Sequence, residues 1–394
     1  MGKKADARKA EAEEKARRKA IERAHKMAAK AEKKTRKAAR ARAKDIEEVG
    51  AEWSGDPREL LAVRSDLDLS TFVRDSTPGW TAGSKAARAT MTSRGEFLSQ
   101  LQERLFASAK GGAGDSVLLV LQGLDTAGKG GIVRHVMGLV DPQGISLAAF
   151  KAPTEEERAH DFLWRIRARL PHAGYIGVFD RSHYEDLLVP TAQALTGQAD
   201  EFGKSWVVPE EELNRRYHDI YEMEAEAARQ GMRIVKVCLM VSYETQGLRL
   251  RERLDRPEKN WKFSSSDLDT RDNWNHYQGA YQEVLRRTST RVAPWYLVPA
   301  DNKWYAQLAI TEILTRTLAE IDPQWPAPTF DVEAARERLD LSLTPDALAH
   351  WDAERAHKQA DWITDDEAIS LAVNALNGKP GTPADEDSTS TEGR

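Results

Sequence analysis

Apolar residues recur at helical spacing in some stretches of this chain and run without interruption in others, and that contrast marks out its elements. Between 85 and 109, Phe97, Leu101, Leu105 and Phe106 share one helical face, which predicts a helix there. Ala113 to Asp115 reads as a turn. Val117-Leu118-Leu119-Val120-Leu121 then runs apolar without a break, the pattern of a strand buried on both faces. Further strands are predicted at 145–150, 175–179, 233–241 and 294–298. Helical patterns over 155–169, 209–230, 244–254, 267–288 and 303–320 separate them. Strands alternating with helices predict an α/β fold, a central parallel sheet with helices on both faces.

The flanks lack such patterning. Residues 3–48 are almost entirely Ala, Lys, Arg and Glu, all strong helix formers, with only Ile21, Met27 and Ile46 as large apolar residues. No coiled-coil seam is predicted. The expectation is a solvated, partly helical arm over 1–50, with polyanion or nucleic-acid binding as the alternative. Residues 331–394 read as an acidic extension, and from about 379 the composition is that of a disordered tail. The catalytic core is expected within 51–330.

Charge follows this division. The net charge of −5 is the sum of +9 over 1–50, −5 over 51–330 and −9 over 331–394. The core as a whole is not basic, so an anionic substrate must be met by a local basic groove. Across 394 residues no apolar run approaches the roughly 18 that a membrane helix needs. The lysine-rich start has no apolar stretch behind it, so a cytoplasmic chain with no membrane partner is expected. A single cysteine, Cys238, rules out an intrachain disulfide and a cysteine-cluster zinc site.

The segment Gly123-Leu-Asp125-Thr126-Ala127-Gly128-Lys129-Gly130 holds a G-x-x-x-x-G-K pattern between a buried strand and a helix, the context a P-loop requires. Its backbone amides curl around a phosphate, the helix N-terminus adds partial positive charge and Lys129 adds a full one. Gly130 stands where a Ser or Thr hydroxyl ordinarily reaches Mg²⁺. A carboxylate is the natural replacement. Asp125, inside the loop, is repelled by phosphate unless a cation lies between them, and is assigned to the metal. A second strand, Tyr175 to Phe179, runs into Asp180-Arg181-Ser182-His183-Tyr184-Glu185-Asp186. In a parallel sheet that strand end faces the ligand crevice. Asp180 is therefore expected to hold metal and Arg181 to neutralise a transferring phosphoryl group. His183 is assigned a structural or binding role.

These segments, with Phe150-Lys-Ala-Pro-Thr, Leu163-Trp-Arg-Ile-Arg, Trp261-Lys-Phe-Ser and Ala293-Pro-Trp-Tyr-Leu-Val-Pro-Ala-Asp-Asn-Lys-Trp, resemble the type-2 polyphosphate kinase family over about 60–320. The nearest branch is that of the polyphosphate:AMP, or nucleotide, phosphotransferases. The resemblance implies a P-loop kinase fold like thymidylate kinase with a mobile helical lid. It implies Mg²⁺-dependent transfer between inorganic polyphosphate and AMP or ADP. It places Lys151, and Arg134 with it, along the polyphosphate path. It associates Glu185 with acceptance of AMP as well as ADP, so AMP to ADP is favoured and ADP to ATP is a second step. Subunit pairing is common in this fold, so a homo-oligomer is expected.

Arg249, Arg253 and Arg256 recur on one helical face before Pro257 breaks the helix. Such a cationic segment suits a lid, expected over about 249–275, with Arg253 as the candidate for the reacting phosphate. Lys262 and Arg271 are further phosphate candidates. Lys303, after the last strand, is a candidate for contacting nucleotide or phosphate, and Asp301 equally for capping the helix. Two other readings compete: an ATP-dependent nucleotide or small-molecule kinase on the same fold, and a nucleic-acid-binding protein that uses the arm beside an inactive P-loop.

Overall fold

A computed structural model describes residues 33–46, 48, 52–196 and 208–378. The five predicted strands form within one residue of their expected ends: β1 (Ser116–Gln122), β2 (Ile145–Ala149), β3 (Ile176–Asp180), β4 (Met232–Met240) and β5 (Trp295–Pro299). They make one parallel sheet in the order β2-β3-β1-β4-β5. Every residue of β1 is buried, as its unbroken apolar run requires. The chain leaves β1 for one side of the sheet and returns past it to build the other. The crevice that accompanies such a switch opens at the C-terminal end of β1. Leu121 pairs with Asp180 in register, so the P-loop and the acidic end of β3 leave the sheet side by side. The outer edge of β5 is covered by residues 61–63, which exchange backbone hydrogen bonds with Trp295 and Leu297 (both 2.8 Å).

The helix Ser84–Lys110 packs on the helix Lys303–Ile321. Arg94 and Glu312 meet between them at 2.7 Å, 1% and 0% exposed, and Arg316 donates to the second oxygen of Glu312 at 2.7 Å. Two expected helices are broken. Residues 155–169 give two short turns, Glu155–Arg158 and Trp164–Arg167, because Asp161 accepts from the backbone N–H of Leu163 (3.1 Å) and starts the second turn afresh. Residues 267–288 divide into Ser266–Asp272 and Trp274–Thr288 at Asn273, whose side chain donates to the carbonyl of Asp269 (3.0 Å).

One helix, Glu185–Thr196, was not expected. Pro190 lies inside it and cannot donate to the carbonyl of Asp186. Arg216 supplies the missing donor at 2.9 Å.

Among the described residues, those from 52 to 327 form one compact unit, and those before 49 and from 328 onward cluster in a second. Within the second, a helix over 33–46 buries Ala39 and Ala43 against Ala368, with Leu371 beside them, and Arg42 pairs with Asp365 at 2.7 Å. A solvated arm was expected; alanines supply the seam that large apolar residues do not. The acidic extension contains two helices, Val332–Asp340 and Pro345–Leu376. The expected tail from about 379, like residues 1–32, lies outside the described residues. Among the described residues no helix is long and apolar enough to cross a membrane.

Candidate active site

The P-loop turns on glycine. Gly123 leaves β1 at φ +143°, and a Cβ there would stand 2.6 Å from the carbonyl oxygen of Leu239. Its own carbonyl accepts from Lys129 Nζ at 2.5 Å. Thr126 and Arg181, neither of them glycine, sit at φ +67° and +64°. Backbone held in the left-handed region persists where the surroundings fix it, and such residues cluster at functional sites. Arg181 is held by a backbone bond to Leu121 (3.1 Å) and by Asp125, which accepts from its guanidinium at 2.8 Å.

A cavity of about 550 Å³ opens here, lined by the loop from Asp125 to Gly131, by Asp180 and Arg181, and by the lid. Eight lysines and arginines line it against three carboxylates. The local basic groove that the sequence demands is therefore present in a core that is acidic overall. Thr126, Ala127, Gly128, Lys129, Gly130, Arg134, Arg253, Lys262 and Lys303 all lie on its wall.

The charges shift one another. Burial pushes the Asp125 carboxyl up, but Lys129, Arg181 and Arg253 outweigh it and hold it below its ordinary value. Burial lowers the Lys129 amine, and Asp125 and Asp180 only partly restore it. That lysine gains from any anion brought beside it. Asp267, which the sequence reading missed, reaches in from the lid. Burial and Asp125 push its carboxyl up, and Arg253 donates to it at 3.1 Å. No spacing rule links a lid aspartate to the loop it covers.

A second cavity of about 430 Å³ adjoins the first, and Arg181 lines both. Phe150, Pro153, Val189 and Pro190 give it apolar walls, while Lys151, Arg165, Arg216, Glu185 and Asp186 give it charge. Arg165 lies over the Phe150 ring, 5.6 Å from its centroid. Burial raises the Glu185 carboxyl above its ordinary value against the pull of Arg181 and Lys129.

Several expected positions fall elsewhere. Lys151 lines the second cavity and Lys303 the first. Glu185 is with Lys151. Arg271 lines neither cavity: its guanidinium lies on the Tyr243 ring, 3.4 Å from the centroid. Arg249 reaches the first cavity, but its two terminal nitrogens donate to backbone carbonyls of Thr126 (3.0 Å), Ala300 (2.7 Å) and Asp301 (2.9 Å). It ties the lid helix Tyr243–Asp255 to the P-loop. Arg256 is half exposed and pairs with Glu252 and Glu258. Asp301 accepts from the backbone N–H of Ser242 at 2.8 Å and so braces the start of the lid helix, not the helix after β5. His183 is fully buried away from both cavities, and burial keeps its imidazole below its ordinary pKa.

A P-loop after the central strand of a parallel sheet, an acidic neighbouring strand end and a cationic lid define a P-loop kinase of α/β architecture. The model of the polyphosphate kinase 2 (PPK2) family matches residues 84–326. The chain belongs to that family. It is 39% identical over 273 residues to the AMP/ADP-polyphosphate phosphotransferase of Meiothermus ruber, covering 69% of this chain and 95% of that one. It is 40% identical over 240 residues to the ADP-polyphosphate phosphotransferase of Rhodopseudomonas palustris, covering 59% and 80%. The crystal structure of polyphosphate kinase 2 from Arthrobacter aurescens superposes with a TM-score of 0.68 at 44% identity, over 73% of this chain and 98% of the other.

Proposed function

We propose that this enzyme transfers a phosphoryl group between inorganic polyphosphate and a nucleotide, with polyphosphate in the cationic cavity and the nucleotide in the adjoining one. The observation that carries this reading is Arg181, which lines both cavities and is hydrogen-bonded to the P-loop acid Asp125. The first cavity suits a long, evenly charged anion: its cations are many and polar surface outweighs apolar on its wall. The second offers an aromatic and apolar wall for a base and ribose, with arginines for the phosphate. The names of the relatives favour AMP and ADP as the nucleotides.

Asp125 and Asp180 on one wall are hard oxygen donors of the kind Mg²⁺ takes, and that ion ordinarily completes its shell with substrate phosphates and water. Bound there, it would offset charge between donor and acceptor phosphates. The chain's own groups do the rest. The loop amides and Lys129 fix the end of the polymer. Arg181 stands where charge develops between the two substrates, and Arg253 covers it from the lid. A terminal phosphate oxygen of the nucleotide then attacks the end phosphorus of the polymer in line, the bridging P–O bond to the next phosphate breaks and the polymer leaves one unit shorter, with no covalent enzyme intermediate. With AMP as acceptor the product is ADP, and with ADP it is ATP.

The test is product formation by purified enzyme with Mg²⁺, polyphosphate and AMP in the absence of ATP. ADP must appear. ADP formed only when ATP replaces polyphosphate would make the chain an ATP-dependent kinase instead. Size measurement by light scattering tests the proposed homo-oligomer.

A further inference from the structure

We infer that Arg271 is a positioning residue that locks the two stalks of the lid together, and that Gly247 is glycine to admit it. The inference rests on the reading of the lid as the cover of the polyphosphate cavity. The outgoing stalk begins at Tyr243 and the returning one ends at Trp274. Arg271, near the end of the return, places its guanidinium over the Tyr243 ring and donates to the Tyr243 carbonyl and to Gln246 Oε1 (3.2 Å). The Trp274 ring meets Tyr243 edge-on, with centroids 5.3 Å apart.

Gly247 sits inside the lid helix, where glycine is a poorer helix former than alanine. A Cβ built on it would stand 2.9, 3.0 and 3.1 Å from three guanidinium atoms of Arg271. The helix gives up that stability and gains the close approach. The outgoing stalk is itself docked on the P-loop, through Arg249 to Thr126 and through the Thr126 hydroxyl to the Gln246 carbonyl (3.5 Å). The return stalk, which carries Asp267 and through it orients Arg253, is held to the outgoing one by Arg271. A cation–π contact with two hydrogen bonds is enough to fix such a crossing.

Arg271→Ala, Arg271→Lys and Gly247→Ala test this by steady-state kinetics and by limited trypsin digestion of the substrate-free enzyme. Arg271→Ala raises KM for polyphosphate roughly tenfold through misplaced lid cations and lowers kcat through the misplaced Arg253, while KM for AMP stays within about twofold. Arg271→Lys keeps a cation on the ring and gives an intermediate value. Gly247→Ala pushes the guanidinium away and follows Arg271→Ala, although alanine is the better helix former. All three are cut faster at Lys259 and Lys262. A Gly247→Ala enzyme with unchanged digestion and unchanged KM overturns the inference, as does an Arg271→Ala enzyme whose melting temperature falls while its KM does not rise. If the parent enzyme shows no turnover with polyphosphate, the proposed function fails, and the digestion series still decides the clamp.

Discussion

Two lysines are buried at the same sheet, and only one of them belongs to a site. Lys236, in the middle of β4, is 0% exposed and donates to both Glu224 oxygens (2.8 and 3.1 Å), to Tyr184 Oη (2.7 Å) and to the Thr288 carbonyl (2.8 Å). An ammonium has three donors, and all are spent. Lys129, which opens the helix Lys129–His135 after the P-loop, has the Gly123 carbonyl as its hydrogen-bond partner and faces a cavity rich in other cations. A buried cation whose donors are satisfied holds structure together. One with donors to spare, held among like charges, is ready for an anion that has not yet arrived.

The sharpest way to break this contrast is Lys129→Met. Turnover with polyphosphate should fall on the order of 10²–10³-fold, the usual cost of losing a group aimed at developing charge. The melting temperature should hold or rise, since burial already disfavours this ammonium. A loss of fold without loss of activity per folded molecule would reverse the assignment.

Lys236→Met should do the opposite. It leaves Glu224 charged and buried, which costs about 3–5 kcal/mol in denaturant unfolding, with kcat retained by the folded fraction. The double variant Lys236→Met with Glu224→Leu should recover most of that loss. The sign with pH follows from Glu224. Burial raises its carboxyl, but Lys236 and His183 outweigh burial and hold it below the ordinary glutamate value. Its contribution is present above that ordinary value and is lost as pH falls through the lower folded one. A parent stability curve flat across that acid window would remove the pair from the account.

Asp180→Asn leaves both lysines in place and removes an oxygen donor from the wall of the cavity that Lys129 faces. The Mg²⁺ concentration for half-maximal rate should rise while the melting temperature stays within about 2 °C. Unchanged metal dependence would take Asp180 out of its assigned role.

The smallest effect is expected of Glu185→Gln. Its carboxyl is raised by burial, so ionised Glu185 costs stability above its folded value, and that cost vanishes as pH drops below the ordinary glutamate value. Glutamine should raise the melting temperature at neutral pH by about 1–2 °C, with the gain fading on acidification.

The lesson about legibility lies in the same residues. The strands and the P-loop could be read from the chain because each is set by its own local pattern: an unbroken apolar run, or glycines around a lysine. The breaks at Asp161 and Asn273 could not, because there a side chain competes with the helix for backbone partners. The helix at 185–196 was hidden by its polar start and by Pro190; the Asp186 carbonyl that this proline leaves without a donor is satisfied by Arg216, 26 residues beyond the proline. The alanine seam of the arm carries no apolar signal strong enough to distinguish packing from helix propensity. Among the lid arginines, spacing gives the face but not the partner. Spacing offers Arg249 as part of the lid's cationic face and Arg271 as a phosphate candidate, yet backbone carbonyls hold the first and a tyrosine ring the second.

The party wall between the two cavities has one further consequence. Because a single guanidinium serves both chambers, whatever settles in one alters the welcome the other extends. Thermodynamic reciprocity then obliges polymer and nucleotide to change each other's dissociation constant by one common factor.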